Sequence, residues 1–437
     1  MSAPDSSTPA IPLRRGVCPG LSRPLPTGDG LLVRILPGGT IGLDAFAGLC
    51  AAARAHGNGI IEVTARGSIQ VRGLSAHSAP QFAVEIAALK VAAEDNVPIL
   101  CSPLAGLDAA EIFDAAAFAA ALRRVVRQPC LARLDPKVSI AIDGGALLSL
   151  ARVAADIRLR AQLFHGEPAL RLAVGGDDTN ALGLGVIVPD DGIEAVSRLL
   201  VVVAERSARA RDIVAAEGAA PFADALTFAR RCQENAVEPD SAPRRCSDAI
   251  GLHALRDGSF AGGIGLAFGH AEAIALEQLL DATAVAGAHG LRTAPNRSLL
   301  AIGLTSKSAM RFFAAAAQLG FVIRADDPRR HVIACPGAPL CASAHIAARA
   351  LAPRLAAAAA PYLSDGLTLH VSGCAKGCAH PGAAPLTVVG TPGDCHLIAN
   401  GSVRDAAFAS IPPHELPAAI ATHLRERRAA AAGANHV

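Results

Sequence analysis

The stretch HVIACPGAPLCASAH, residues 331–345, and the stretch HVSGCAKGCAHPG, residues 370–382, place two pairs of cysteines near the C-terminus. The pairs are spaced C-x5-C and C-x3-C. Two close pairs of thiolates on separate loops can surround an iron–sulfur cube once the chain between them folds back. The spacing therefore predicts a [4Fe–4S] cluster with four cysteine ligands: Cys335, Cys341, Cys374 and Cys378.

The chain between the two pairs is predicted to make this return. An Ala-rich run, roughly residues 343–360, has a helical pattern, and LTLHV at residues 367–371 has a strand pattern. Cys341 would then lie just before the helix, where the positive end of the dipole favours a thiolate. Three glycines would let the backbone approach the cluster: Gly337, Gly373 and Gly377.

Three other uses of these cysteines stay open at this point. A zinc site usually has the tighter C-x2-C spacing. A disulfide requires an oxidising compartment, and the sequence begins with no visible export signal. Free cysteines are also among the most frequently buried residues, so a core role without metal is the third alternative.

The composition excludes some classes of partner. The 437 residues, 51% of them hydrophobic, are enough for a sizeable core and roughly two to four domains. A net charge of +2 leaves no broad basic face, and the absence of Trp with a single Tyr leaves few platforms for stacking bases. We therefore expect a small-molecule ligand and no nucleic acid.

The sequence also predicts a cytoplasmic protein that does not bind membranes. The opening MSAPDSSTPAIPLRRGVCPG has no apolar signal region, and apolar runs such as LLVVVA at residues 199–204 are too short to cross a bilayer. Eleven cysteines, an odd number, fit a reducing compartment with one metal site and scattered core thiols.

An internal repeat organises the chain. LLVRILPGG at residues 31–39 predicts a strand, residues 40–59 a helix, and IIEVTARGSIQVRGL at residues 60–74 a half-buried strand that turns at Gly67. A second helix is predicted near residues 79–93. The same order returns late in the chain.

The two copies can be aligned directly. GNGIIEVTARGSIQVRGL at residues 57–74 and GAHGLRTAPNRSLLAIGL at residues 287–304 both carry a basic residue in mid-strand and both end in Gly-Leu. Each copy is followed by a cysteine-bearing turn, an Ala-rich helix and a strand. The pattern predicts an α+β fold of duplicated halves, each a small half-domain followed by a larger α/β domain, with a ligand pocket between the halves.

The predicted boundaries follow from this pattern, with a charged linker that contains one helical patch. They are a disordered N-terminus at 1–16, half-domains at 17–95 and 249–325, larger domains at 96–204 and 326–424, a linker at 205–248 and a frayed tail at 425–437. The first larger domain has Cys101 alone, so the cluster is predicted in the second half.

From about Cys18 to Ile398 the chain resembles the superfamily of sirohaem-dependent nitrite and sulfite reductases. TARGSIQ at residues 64–70 is similar to its T-x-R-x-x-x-Q strand, whose Arg points at the tetrapyrrole and anion pocket; Arg66 has that place. LDPKVSIAI is similar to a later strand that lines the same pocket with lysines, and Lys137 matches the first of them. The resemblance implies nitrite/sulfite reductase-like halves with ferredoxin-like half-domains.

The chain departs from the reductases at the pocket. Val97 stands where they carry a further Arg, and Ser139 where they carry a second Lys. An anionic substrate on a metal needs several converging cations, because each one offsets part of the cost of desolvation. The second cysteine pair also reads SGCAKGCAHPG instead of C-P-N-x-C.

Three stretches resemble the precorrin-3B synthase family, an oxygen-dependent branch of this superfamily: GCAKGCAHPG with the following LTVVG, CPG with TGDGLLVRI, and SPLAGLD. The resemblance implies that the tetrapyrrole is a substrate, precorrin-3A, and not a sirohaem. It implies hydroxylation at C20 with closure of a ring-A acetate lactone, in aerobic cobalamin biosynthesis. It also implies O2, a [4Fe–4S] cluster, a second, non-haem iron, and an external electron donor such as NADH.

Precorrins carry many carboxylates, so the pocket should present arginines and lysines. The leading candidates are Arg66 and Lys137. Four further candidates lie on the duplicated strands: Arg34, Arg72, Arg292 and Arg297. Lys376, between two predicted cluster cysteines, would either tune the cluster by its charge or extend to solvent. Asp29 is interpreted as a turn residue.

The sequence does not identify ligands for a second iron or a catalytic residue. Such an iron is typically bound by two histidines and a carboxylate. Four histidines crowd the cysteine region without a defined ligand spacing: His331, His345, His370 and His380.

Two other functions stay open on the sequence. A sirohaem nitrite or sulfite reductase would show a sirohaem absorption band. An iron–sulfur electron carrier or sensor would need no duplicated pocket, and such carriers are usually small.

Overall fold

The structure is a computed structural model that describes residues 19–91, 97–131, 133–232, 247–363 and 367–434 of the chain. Within these ranges four five-stranded sheets are covered by helices. No helix in the described ranges has both the length and the apolar composition needed to cross a bilayer.

The first half-domain is a small sheet covered on one face by two helices. Its alternating pattern buries Ile61, Val63 and Val71 against the helices, while Glu62 and Arg72 lie on the opposite face. Its elements are β1 (Leu25–Thr27), β2 (Gly30–Ile35), β3 (Ile41–Gly42), α1 (Leu43–His56), β4 (Ile60–Val63), β5 (Ile69–Leu74) and α2 (Ser78–Ala88).

The turn between β4 and β5 follows the sequence prediction. Gly67 has a φ of 82°, a left-handed conformation that glycine adopts without strain. α1 covers the predicted helix, but α2 ends at Ala88, before residue 93.

The first larger domain is a mixed sheet in which β6, β7 and β8 are parallel and β9 and β10 continue antiparallel. Its elements are β6 (Ile99–Cys101), α3 (Ala115–Val125), β7 (Ile140–Asp143), β8 (Ala155–Phe164), β9 (Glu167–Gly176), β10 (Leu182–Ile187), α4 (Gly192–Arg206), α5 (Ala210–Glu217) and α6 (Ala220–Ala225).

The predicted linker at 205–248 needs a correction. α4 runs past residue 205, where the linker was predicted to start, and α5 and α6 follow it. Ile213 and Phe222 are buried in the core of the first larger domain. Apolar residues spaced among charges hide this packing in the sequence. Residues 205–232 therefore belong to the first larger domain, and residues 233–246 lie outside the described ranges.

The second half repeats both units. Its half-domain contains β11 (Gly251–Ala254), β12 (Phe260–Gly265), β13 (His270–Glu272), α7 (Ala273–Val285), β14 (Gly290–Ala294), β15 (Ser298–Leu304) and α8 (Ser306–Gln318). Its larger domain contains β16 (Val332–Ala334), α9 (Ala348–Ala359), β17 (Leu369–Ser372), β18 (Ala384–Gly390), β19 (Cys395–Gly401), β20 (Ala409–Ile411) and α10 (Leu416–Ala434). β16, β17 and β18 are parallel and β19 and β20 antiparallel, as in the first larger domain.

The structure corrects the prediction for the C-terminal end of the chain and does not test the prediction for the N-terminal end. The predicted frayed tail at 425–437 lies mostly within α10, where Arg427 donates to the carbonyl of Pro385 at 2.9 Å and to Oδ1 of Asn400 at 3.0 Å. The predicted disorder of residues 1–16 concerns a segment outside the described ranges.

The two half-domains exchange edge strands. β3 of the first half pairs with β14 of the second, and β13 of the second half pairs with β4 of the first. The β4–β5 turn contacts the β14–β15 turn, where the backbone N–H of Asn296 donates to the carbonyl of Ala65 at 3.0 Å. Phe46 and Phe312, both fully buried, belong to one continuous apolar core. The duplicated α+β fold predicted from the sequence is confirmed, but the halves share their interior.

Candidate functional site

The four predicted cysteine ligands lie around one cavity in the second half. Two follow β16 and two follow β17, and since these strands are parallel neighbours, their carboxyl ends meet at one edge of the sheet. The cavity is closed from the other side by the first half-domain, through Thr27, Gly28, Asp29 and Arg72. The cysteines in its wall are Cys335, Cys341, Cys374 and Cys378.

Backbone groups hold the first cysteine loop against the cavity. The Gly373 N–H donates to Sγ of Cys335 at 3.0 Å, and the Cys341 N–H donates to the carbonyl of Gly337 at 2.9 Å. Burial raises the pKa of Cys335, while the N–H groups of Gly373 and Gly337 oppose that rise. Gly337 and Gly377 have left-handed φ values of 68° and 63°, so these turns favour glycine.

The predicted helix begins later than its Ala-rich sequence indicates. α9 starts at Ala348, and the hydroxyl oxygen of Ser343 instead accepts a hydrogen bond from Nζ of Lys376 at 2.8 Å. This bond links the two cysteine loops. Cys341 is therefore not at a helix start, and the predicted support of its thiolate by a helix dipole is wrong.

The shape of the cavity fits a cluster with thiolate ligands. A Cβ atom on Gly28 would lie 2.4 Å from Sγ of Cys341, so only glycine leaves room for the sulfur at this turn. All four cysteines are free and line one cavity beside the first half-domain, with Cys335 buried and Cys378 exposed. The donor set and the close backbone approach are those that a [4Fe–4S] cluster requires.

A buried group of charges borders the cysteine cavity. Arg72 donates to Oε2 of Glu62 at 3.0 Å and to Oδ1 of Asp29 at 3.3 Å. Arg349, at the start of α9, donates to Oε1 of Glu62 at 3.1 Å. Burial raises the pKa of Glu62, but the attraction of Arg72 and Arg349 outweighs it, so that the pKa lies below its ordinary value.

Arg72 also acts on a cysteine. Burial raises the pKa of Cys378, and the positive charge of Arg72 opposes that rise. Asp29 was interpreted as a plain turn residue, but its side chain is only 3% exposed and it binds Arg72. Asp29 is therefore part of the cavity wall.

A row of hydrogen bonds leads away from the cysteine cavity along the polar face of the first half-sheet. Gln70 donates through Nε2 to Oε2 of Glu62 at 3.0 Å. Arg34, on the neighbouring strand, donates to Oε1 of Gln70 at 2.7 Å. The face thus connects the cysteine cavity with a second cavity at Arg34.

The second cavity has a volume of about 480 Å³ and a strongly basic lining. Asp135 is the one acidic side chain among its described lining residues, and the carboxylate accepts the backbone N–H of Lys137 at 2.8 Å. Apolar side chains, among them Val97 and Leu131, complete the wall. Five cations line this basic cavity: Arg23, Arg34, Arg66, Arg127 and Lys137.

The structure brings three of the six predicted substrate residues together in the basic cavity: Arg34, Arg66 and Lys137. Arg66 and Lys137 are both exposed there, and Arg66 donates to the carbonyl of Ala154. At the positions where the chain departs from the reductases, Val97 lines the cavity, whereas Ser139 is fully buried.

The other three predicted residues lie elsewhere. Arg72 faces the cysteine cavity. Arg292 donates to Oγ1 of Thr40 and to the carbonyl of Ala105, both at 2.8 Å, and so connects β14 to the first larger domain. Arg297 sits in the β14–β15 turn with a left-handed φ of 63°, where burial lowers its pKa.

Sequence reasoning missed Arg23 and Arg127. Arg127 follows α3 in the run LRRVVRQP, and Arg23 precedes β1 in SRPLP. Neither lies on a duplicated strand, so the repeat gave no reason to select them. A cluster of basic residues at the end of an amphipathic helix was the available signal for Arg127.

Two of the four histidines meet beside the cysteines. The ring centroids of His370 and His380 are 5.6 Å apart. Neither ring nitrogen of the fully buried His370 has a hydrogen-bond partner. Burial, with help from His380 and Arg297, lowers the pKa of His370 to about 4. Within the described ranges, no three or more His, Cys, Asp or Glu side chains form a group that could hold a single metal ion.

The first larger domain shows which residues stand in place of the first cysteine pair. The Gly144 N–H donates to Oγ of Ser102 at 3.3 Å, as the Gly373 N–H does to Cys335 in the second half. Both Ser102 and Cys335 follow the first strand and donate a backbone N–H to its neighbour. Ser102, and not Cys101, is therefore the counterpart of Cys335.

Asp108 is the counterpart of Cys341. Its N–H donates to the carbonyl of Leu104 at 3.0 Å, as the N–H of Cys341 does to Gly337. The carboxylate of Asp108 accepts the N–H groups of Ala110 at 2.8 Å and Leu147 at 3.1 Å. Hydrogen bonds between protein groups thus occupy the position that the cysteine cavity has in the second half.

The first half-domain matches a family model. The model is described as the nitrite/sulfite reductase ferredoxin-like half domain, and it covers residues 23–89. A solved structure of the NirA protein of Mycobacterium tuberculosis has a TM-score of 0.69 with this chain at 22% identity, over 90% of this chain and 80% of that one. This likeness supports the fold.

Two curated proteins are similar over most of the chain. A ferredoxin–nitrite reductase of Synechococcus elongatus is 24% identical over 360 residues, 76% of this chain and 70% of that protein. A precorrin-3B synthase of Sinorhizobium sp. is 39% identical over 398 residues, 90% of this chain and 84% of that protein. With that identity over that length, this chain belongs to the precorrin-3B synthase family.

Proposed function

We propose that the protein is an oxygen-dependent monooxygenase of aerobic cobalamin biosynthesis. It hydroxylates precorrin-3A at C20 and closes the ring-A acetate lactone to give precorrin-3B. One atom of O2 enters the product, and the other leaves as water after it takes up two protons and two electrons, the electrons from an external reductant such as NADH. Membership of the precorrin-3B synthase family supports this reaction.

The observation that carries the proposal is the junction of the two cavities. A large cavity lined by five cations and apolar side chains suits a macrocycle with many carboxylates. The polar face of one small sheet joins it to the cysteine cavity through Arg34, Gln70 and Glu62. Substrate and electron source would therefore be neighbours.

The residues of the basic cavity have distinct tasks in this proposal. Arg34, Arg66 and Lys137 bind substrate carboxylates, with Arg23 and Arg127 as further contacts. Val97 and Leu131 pack against the ring and exclude water from its face. Placing an Arg at position 97 would add a cation where this chain offers an apolar wall.

The cysteine cavity would bind the [4Fe–4S] cluster through Cys335, Cys341, Cys374 and Cys378. When bound, a cluster supplies the single electrons that dioxygen in its triplet ground state requires. The N–H of Gly373 stabilises the sulfur of Cys335, and the Gly28 turn shields the opposite side.

The proposal is tested with anaerobically reconstituted protein. Precorrin-3A, a reductant and ¹⁸O2 are supplied, and the product is analysed by mass spectrometry. We expect one labelled oxygen atom in the product. A product without label would refute the monooxygenase, and a sirohaem absorption band in the purified protein would support a reductase instead.

Substrate binding has its own test. Lys137→Met removes one exposed cation from the basic cavity and should weaken binding of a polycarboxylate porphyrin about ten-fold or more, because a charge-assisted hydrogen bond contributes ~1.5–3 kcal/mol. Fluorescence titration measures the affinity. The matched control is Lys307→Met, at an exposed position on α8, which should bind as the unchanged protein does. Equal affinity of both variants would contradict the assignment of the basic cavity.

A further inference from the structure

The carboxylate of Glu62 lies at the centre of a charge network that spans the two halves of the chain. Its Oε2 accepts from Arg72 of its own half-sheet, and its Oε1 accepts from Arg349 of the cluster-bearing domain. The side chains of Glu62, Arg72 and Arg349 are 14%, 8% and 15% exposed. Since buried ions must be paired, loss of Glu62 would leave two arginines without their common partner.

Both arginines lie close enough to the cysteines to act on them by charge. Arg72 lines the cysteine cavity and opposes the pKa rise of Cys378. Arg349 interacts electrostatically with Cys335. Charges and hydrogen bonds around an iron–sulfur cluster set its reduction potential. Glu62 therefore determines where two positive charges stand relative to the cluster.

The same carboxylate is connected to the basic cavity by one neutral residue. Gln70 donates to Oε2 of Glu62 and accepts from both Nε and Nη2 of Arg34, at 3.2 and 2.7 Å. In the second half-sheet the corresponding position is Leu300, in an apolar cluster that packs on the first larger domain. The link thus exists in one half only.

We propose that Glu62 is a positioning residue that holds Arg72 and Arg349 beside the cluster cysteines. Through Gln70 it also couples these two arginines to Arg34. An anionic ligand in the basic cavity therefore changes the reduction potential of the cluster. This inference rests on the proposed [4Fe–4S] site. A carboxylate that engages Arg34 competes with Gln70 for its guanidinium, and Gln70 transmits the change to Glu62.

The test is an anaerobic redox titration followed by electron paramagnetic resonance on the reconstituted full chain. Glu62→Gln removes a buried negative charge beside the cluster, so its midpoint potential should rise in the absence of ligand. Glu277→Gln is the matched control, because it removes a carboxylate from the remote, more exposed ion pair with Arg54 and should leave the potential unchanged. Equal potentials in Glu62→Gln and the unchanged protein would overturn the positioning role.

The coupling is tested with Gln70→Leu, which keeps every charge. A saturating polycarboxylate porphyrin, with saturation checked by fluorescence, should lower the potential of the unchanged protein, and in Gln70→Leu the shift should fall to less than half. The same ligand-induced shift in both proteins would overturn the coupling. If Glu62→Gln fails to hold a cluster, Gln70→Leu decides alone, whereas absence of any cluster in the unchanged protein would refute the proposed function.

Discussion

Burial and a backbone donor act together on the sulfur of Cys335. Its burial favours the neutral thiol and raises its pKa, so the metal-free protein keeps this proton at neutral pH. The N–H of Gly373 donates to the sulfur at 3.0 Å and would stabilise the thiolate if iron replaced the proton, as the proposed cluster requires. Cluster binding should therefore release protons and weaken as the pH falls.

Serine substitutions test the cysteine assignment. Replacing any one of Cys335, Cys341, Cys374 or Cys378 by Ser should abolish most bound iron and sulfide after anaerobic reconstitution, because a serine hydroxyl is a poor ligand for these clusters. Iron and sulfide assays measure the loss. Cys101→Ser is the control, since Cys101 donates to the carbonyl of Ala115 in the other half and should not affect iron content. Full iron content in any of the four variants would remove that residue from the ligand set.

The lowered pKa of His370 predicts that the stability of the fold depends on pH. Its pKa is about 4 in the fold against an ordinary 6.5, so the fold favours the neutral ring and stability falls as the pH drops from about 6.5 towards 4. At pH 5 the loss is ~2 kcal/mol relative to pH 7.5. The neighbouring charges, His380 and Arg297, oppose protonation of the ring as well.

The substitution His370→Leu should remove this part of the acid sensitivity. Urea unfolding of the metal-free protein at pH 7.5 and pH 5 measures the difference in unfolding free energy. His414→Leu, at an exposed position, should keep the sensitivity of the unchanged protein. A loss of stability at pH 5 as large in His370→Leu as in the unchanged protein would show that another group is responsible.

The limits of sequence reasoning at the residue scale are visible in the basic cavity. Arg66 and Lys137 could be predicted because motifs mark them, and Arg34 because it lies on a repeated strand. Arg72 lies on the same face of the sheet as Arg34, yet it is paired with Glu62 and faces the cysteines. The alternation of a strand gives the face of a side chain but not its partner.

Among the elements, the turn between β1 and β2 has a role that its short sequence hides. The carbonyl of Gly28 accepts the N–H of Ala342, so this turn lies directly on the first cysteine loop. A hairpin of the first half-domain thereby closes the cysteine cavity of the second half. The TGDG sequence indicates a turn, but nothing local to it indicates the loop on which it lies.

Gly28→Ala is therefore expected to impair cluster binding. The added Cβ would lie 2.4 Å from Sγ of Cys341 and 3.2 Å from Oγ of Ser343, so the hairpin or the loop must shift. Iron content after reconstitution should fall at least two-fold while far-UV circular dichroism stays unchanged. Gly183→Ala, where a Cβ has open space, is the control. Normal iron content in Gly28→Ala would show that the hairpin does not contact the cluster loop in solution.

Helices and strands were predictable where their periodicity was long. α1 and α7 follow their apolar patterns closely, whereas α9 starts five positions after the predicted Ser343. Alanine favours helix throughout that run, and the start signal that the sequence offers, Ser343, accepts a hydrogen bond from Lys376 instead of capping the helix. The exchanged strands β3 and β13 are too short for any periodicity to reveal them.

At the scale of the whole molecule the two halves differ in what their sheets face. In the first half-sheet Arg72 lines the cysteine cavity, and Gln70 joins its partner Glu62 to Arg34 in the basic cavity. The second half-sheet presents Leu300 and Ile302 to Leu104 of the first larger domain. One interface is polar and suited to a ligand, and the other is an apolar packing surface. The duplication was predictable from sequence, but this division of roles depends on contacts between distant segments.

The exchanged strands predict how a divided chain behaves. A fragment of residues 1–232 would lack β13 beside β4, and a fragment of residues 247–437 would lack β3 beside β14, so each would expose an unpaired strand edge. Each fragment alone should aggregate, and coexpression should give a one-to-one complex by size-exclusion chromatography with light scattering. Two fragments that stay monomeric when separate would contradict this prediction.

The reciprocal exchange of β3 and β13 also bears on how the duplicated chain evolved. A swap of identical elements between two copies is a low-cost route to a homodimer, and joining the two genes would fix that pairing within one polypeptide. In such a fused dimer both copies would have begun with the same cysteines, and one set would have been free to change. Ser102 and Asp108 would then be the residues that replaced two cysteines of the first copy, and both now accept hydrogen bonds from the surrounding backbone.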